Sequence, residues 1–187
     1  MEILYYIIGI VILGGAVSVF SFSRSKKDLE ELILEEENFN ISHKYLNGVS
    51  KTATAVDSEN KKIIFIEGKN KTVINFKDLI SVETIVNNQV LHQTKRGSQV
   101  AGGVVGGLLL GPAGLLIGAL TGGKKVVEKI SKISIKVLVN RIDKPFHEIV
   151  FYNGNPIKND SAIHKIYSEL ADEWIGRFSA IISMSDD

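Results

Sequence analysis

Between Gly97 and Gly123 the chain reads GSQVAGGVVGGLLLGPAGLLIGALTGG, and this stretch limits what the rest can become. Its glycines fall at four-residue steps: Gly103, Gly107 and Gly111, then Pro112, then Gly114, Gly118 and Gly122. On a helix, positions four apart share a face, so each half predicts a groove of bare backbone beside a ridge of Val, Leu and Ile. Such a glycine zipper lets helices approach closely in lipid. From Ala101 to Thr121 there is no charge, while Lys95, Arg96, Lys124 and Lys125 make both flanks basic. One helix of this length would just cross a bilayer, which takes about 20 residues. Pro112 at its midpoint would remove a helix hydrogen bond and clash with the preceding turn. Two short helices turning at Gly111-Pro112 avoid this and return both basic flanks to one side of the membrane. A re-entrant hairpin is therefore expected over 97–123, with a soluble hairpin packed on the domain as the alternative.

Ile3 to Phe22 is a second uncharged run, long enough for a transmembrane helix. Only Glu2 precedes it, whereas a signal peptide wants a basic segment there. Arg24, Lys26 and Lys27 follow it, so the positive-inside rule predicts an uncleaved anchor over 1–23, N-terminus out and the remainder cytoplasmic. Residues 24–38 read as a charged helical stem, capped by Asp28, with Leu29, Leu32 and Ile33 on one face. A solvated spacer is expected there.

From residue 39 onward the pattern changes to period two. Strands are expected at 52–56, 61–67, 71–76, 79–86, 89–95, 132–140 and 146–152, with Asn87-Asn88 as a tight hairpin turn. Asn153-Gly154-Asn155-Pro156 is expected to break the sheet. Residues 161–184 read as an amphipathic helix whose apolar stripe is Ile163, Ile166, Tyr167, Leu170, Trp174, Phe178 and Ile181. The fold class is therefore α+β. Seven strands and a closing helix predict a small bent sheet or open barrel over 39–187, plugged at one end by the helix.

The order of strands, the phrase NKKIIFIEGKNKTVINFKDLISVE and a terminal helix carrying Trp174 resemble the bacterial pleckstrin-homology-like domains. Some of those carry a glycine-rich apolar insertion before the last two strands. The resemblance implies binding of lipid headgroups, peptides or proteins, without catalysis. Together with the anchor expected over 1–23, it places the chain at the bacterial cell membrane as an expectation. The hairpin near Asp57 to Lys62 has two lysines and no dense basic basket, which argues against specific inositol-lipid recognition.

Little else in the chain points to chemistry. A net charge of +1 gives no basic surplus for nucleic acid. The absence of cysteine excludes disulfides, thiol catalysis and cysteine-type zinc sites. His43, His92, His147 and His164 never stand at metal-ligand spacing. Gly118 to Lys125 imitates part of a phosphate-binding loop but puts Lys125 where Ser or Thr should bind magnesium. No cofactor or catalytic residue is expected. The chain reads as a non-enzymatic, membrane-anchored binding or scaffold module, with membrane lipid, an unidentified protein or a second copy as partner. The alternative is a membrane-active effector that oligomerises through the glycine faces and permeabilises the bilayer.

Overall fold

The computed structural model describes Tyr5, residues 23–96 and residues 129–185, with backbone only at 91–93. A helix, α1, covers 23–34. The first sheet follows as a meander of β1 (His43–Asn47), β2 (Thr52–Asp57), β3 (Lys62–Glu67) and β4 (Asn70–Asn75). A short 3-10 turn, Phe76–Asp78, leads into the second sheet. That sheet holds β5 (Leu79–Val86), β6 (Gln89–Lys95), β7 (Lys129–Val139) and β8 (Phe146–Lys158), and a long helix, α2 (Ala162–Met184), ends the described chain. All paired strands are antiparallel, and the second sheet is ordered β6-β5-β7-β8.

Alternation along the strands builds two cores. Val56, Ile63, Phe65 and Ile74 point from the first sheet toward Val82, Ile135, Val137 and Ile149 of the second. Trp174, Phe178 and Ile181 of α2 close this main core. The opposite face of the first sheet offers Ala53, Ala55, Ile64 and Ile66, and onto it α1 lays Leu29 and Ile33, 2% and 1% exposed. Ala53 sits opposite Ile66 and Ala55 opposite Ile64, so small residues alternate with large ones and a helix can come close. Every residue from Ile63 to Ile66 is buried because both faces of β3 are covered.

Several expectations are corrected. Eight strands are described, not seven, and they form two four-stranded sheets rather than one bent sheet. The added strand is β1, an edge strand whose residues are no more than half-buried. The 24–38 stem is no solvated spacer: α1 is packed, and Asp28 lies inside it rather than at its cap. The 153–156 segment does not break the sheet. As the edge strand, β8 can accommodate Pro156, and register shifts against β7 absorb the irregularity. A similar shift between Leu79 and Ser81 puts Leu79 in the core and leaves Ile80 half-buried. In α2 the stripe holds from Trp174 onward, but Ile166 is 61% exposed and the first turns bury His164 and Ser168 instead. The Asn87-Asn88 turn is present, both residues having positive φ (48° and 66°).

Among the described residues no helix is long and apolar enough to cross a membrane. The expected anchor over 1–23 and the hairpin over 97–123 lie outside the described residues, Tyr5 and Ser23 excepted.

Candidate functional site

The glycine stretch joins β6 to β7, and the sheet fixes the geometry of that join. Both strands pair antiparallel with β5, one on each side, so they run parallel to each other. The connection is therefore a crossover and not a hairpin loop. Lys95 at the end of β6 lies opposite Ser81, near the start of β5. Ile133 of β7 lies opposite Val86 at the far end, and Lys129 extends beyond it. At about 3.3 Å per residue, the chain leaves and re-enters the sheet at points roughly 30 Å apart. Any hairpin formed by 97–123 has its base set over the length of the sheet.

Both departure points are held by hydrogen bonds. The Arg96 amide donates to the Ile80 carbonyl at 2.9 Å, and the Arg96 guanidinium donates to the carbonyls of Lys77 and Phe76. At the return, the Asn87 carboxamide donates to the Lys129 carbonyl and accepts from the Ser131 amide, both at 2.9 Å. Of the expected headgroup residues, Lys95 and Arg24 are exposed, as are Lys26 and Lys27, the latter with Glu31 at 3.7 Å. Arg24, Lys26 and Lys27 share α1, whereas Lys95 and Arg96 stand at the β6 terminus. Lys124, Lys125 and the glycines Gly103, Gly107, Gly111, Gly114, Gly118 and Gly122, with Pro112, lie outside the described residues.

Two polar clusters escaped the sequence reading. At one end of the domain, Glu67 of β3 receives His147 Nδ1 at 3.0 Å and Lys144 Nζ at 3.1 Å. The His147 bond, reinforced by Lys144, holds the Glu67 carboxyl below its ordinary range against the opposing effect of partial burial. The alternation of β8 places His147 inward, but nothing in sequence pairs it with Glu67.

The second cluster joins Ser168 Oγ to His164 Nε2 at 3.0 Å, one turn apart on α2. Burial holds the His164 imidazole below its ordinary value, partly countered by a bond to the Asn159 backbone. The distance suits a nucleophile and its base. Ser168 is wholly buried, however, and no substrate atom can reach it. The pair satisfies polar groups inside the helix packing. No cluster of three metal-ligating side chains occurs among the described residues.

The comparisons with known proteins agree with this layout. A family model described as the glycine zipper containing PH domain matches residues 41–153. An immunity protein of Bacillus phage SPbeta is 29% identical over 121 residues, covering 60% of this chain and 58% of that protein. An uncharacterized membrane protein, YomJ, derived from the SPbeta prophage of Bacillus subtilis (strain 168), is also 29% identical over 121 residues, covering 60% and 52%. The aligned part of the chain thus spans a little over half the length of these curated relatives. No solved structure matches significantly. The family match takes in more than half of the chain and includes the crossover itself, and the protein belongs to the family of glycine zipper containing PH domains.

Proposed function

We propose that the protein is a non-catalytic module of the bacterial membrane, in which a PH-like body binds a partner and the glycine zipper meets lipid or a second copy. The observation that carries this reading is the crossover. An uncharged zipper is offered from one sheet of a well-packed domain, between two termini fixed by Arg96 and Asn87. In this reading the β5 direction lies along the bilayer plane, because the two ends of the stretch must reach the surface together. The names of the two relatives, an immunity protein and a membrane protein, support the setting and suggest the role. This chain would confer immunity by occupying a partner at the membrane.

The test uses a fragment starting at Ser25, which keeps Leu29 and Ile33 of α1 but removes the expected anchor. Simple deletion of 97–123 is unsuitable. It would leave residues 124–128 to span roughly 30 Å, when five extended residues reach about 17 Å. A Gly/Ser linker of equal length is the proper control. The parent fragment is expected to float with anionic vesicles, the linker variant to remain in solution, and Gly107→Leu with Gly118→Leu to float but not self-associate. A parent fragment indifferent to vesicles overturns the membrane reading. In cells, the full chain is expected to lower phage plating, and the linker variant to restore it. Collapse of membrane potential on expression would instead favour the permeabilising effector.

A further inference from the structure

A cavity of about 790 Å³ lies between the last turn of α2 and the first sheet. We propose that it binds a long-chain carboxylate, with the hydrocarbon chain inside and the carboxylate between Lys61 and Lys77. The volume lies within the range of small-molecule sites, about 300–1,000 Å³. Val56, Phe76, Ala180, Ile181 and Met184 supply its apolar walls. Met184 lies 69% exposed at the mouth, where an apolar ligand would cover it.

Charge selects the head. Lys61, Lys77, His43 and Arg177 line the opening, and no carboxylate is among the described lining residues. Arg177 is occupied, being paired with Glu173 and stacked over the Trp174 ring at 4.9 Å. Lys61 and Lys77 make no ion pair among the described residues. Their turns are joined: the Phe76 amide donates to the Lys61 carbonyl at 2.8 Å, and Lys61 is fixed at a φ of 53°. The carboxyl end of α2 carries partial negative charge, so an anionic head belongs with the lysines and the chain beneath the helix. Two ammonium groups lining one apolar cavity fit an amphiphilic anion better than a free inorganic one, which would leave the floor wet.

The cavity is built from residues other than 97–123. The membrane reading supplies only the source of the ligand, so the two proposals fail separately. The probe is palmitate carrying a photoreactive diazirine on its chain, added to the full chain in phosphatidylcholine vesicles, with crosslinked peptides read by mass spectrometry. Labelling is expected on Phe76 and on Ile181 to Met184. It should fall at least tenfold in Lys61→Glu with Lys77→Glu, whose exposed charges leave the core intact. It should fall equally in Ala180→Trp, which fills the space, with folding of each variant checked by its melting curve. The corresponding diazirine hexadecanol, which has no charge, should label the site at least tenfold less. Equal labelling by the alcohol, or labelling unchanged in both variants, overturns the proposal. So does labelling that appears only after removal of Asp186-Asp187, since the chain's own acidic tail would then be the occupant.

Discussion

His147 lies flat on Phe65, with ring centroids 4.5 Å apart and planes 5° from parallel. One ring comes from β8 and the other from β3, so the stack fastens the second sheet to the first beside Phe178 of α2. Glu67 then holds the imidazole edge at 3.0 Å. Truncation of a buried ring loses the stack and opens a cavity, so His147→Ala is expected to cost roughly 2–4 kcal/mol in urea unfolding. An unchanged midpoint would show that the sheets do not depend on this contact.

The same cluster gives the domain an acid dependence. Glu67 has a folded pKa held below its ordinary 4.5, chiefly by the His147 bond and helped by Lys144. Its contribution is therefore present above about pH 4.5 and lost as pH falls through the lowered folded value. Glu67→Gln is expected to flatten the decline of stability between pH 5 and the acid limit, as measured by melting temperature against pH. Curves that stay parallel for the two proteins would remove Glu67 from the account.

His164 acts in the same direction, losing stability as pH falls, but over a higher range of pH. Burial depresses its folded pKa below 6.5, so the native state prefers the neutral ring. Its favourable effect is present above about pH 6.5 and lost as pH falls toward the folded value. His164→Gln, which retains a polar partner for Ser168, is expected to remove a fall in melting temperature that begins near pH 6.5. NMR titration of the imidazole provides the independent check, and a value at or above 6.5 would contradict it.

Asp57 ties the linker after α1 to the β2–β3 turn. Its carboxylate accepts from the Asn40 amide, the Asn60 amide and the Asn60 carboxamide, each at 2.8 Å. Burial pushes its pKa up, but these bonds outweigh that and hold it below the ordinary range. Asp57→Ala leaves two amides without this acceptor, at about 1–3 kcal/mol each. Hydrogen exchange at Asn40 and Asn60 is expected to accelerate together, and unaltered protection at both would count against the knot.

The packing of α1 can be tested directly. Leu29→Ala and Ile33→Ala are each expected to cost roughly 2–5 kcal/mol, because both side chains fill the second core. Limited proteolysis should then cut first between 23 and 40. A solvated stem would be cut at the same rate in all three proteins.

Much of this architecture was legible in the residues. Alternation from Ile133 to Val139 fixed the inward face of β7, and Asn87-Asn88 marked the β5–β6 turn through the tolerance of Asn for positive φ. The stripe Leu29, Leu32, Ile33 was visible too, but its partner was not. The clue was the unbroken run Ile63 to Ile66, which says that a strand is covered on both sides. Strand β1 was hidden because its exposed edge has no clean alternation; Tyr45 and Asn47 are recognisable only through their bonds to the Val150 carbonyl. Lys61 and Lys77 of the cavity could not be grouped by spacing, since they line it from two turns joined by one backbone bond.

The crossover also bears on the order in which the chain is made. β5 and β6 can pair as soon as they are synthesised, since only Asn87-Asn88 separates them. The other edge of β5 must wait for β7, which follows the whole glycine stretch. Closing that long loop costs entropy before the β7 contacts offset it. An apolar segment loose in water would offer competing contacts during the delay, whereas one already settled in lipid would shorten the effective loop. If the segment enters lipid as proposed, completion of the second sheet would report that it has done so, and a nascent chain that missed the bilayer would be left with an open β5 edge.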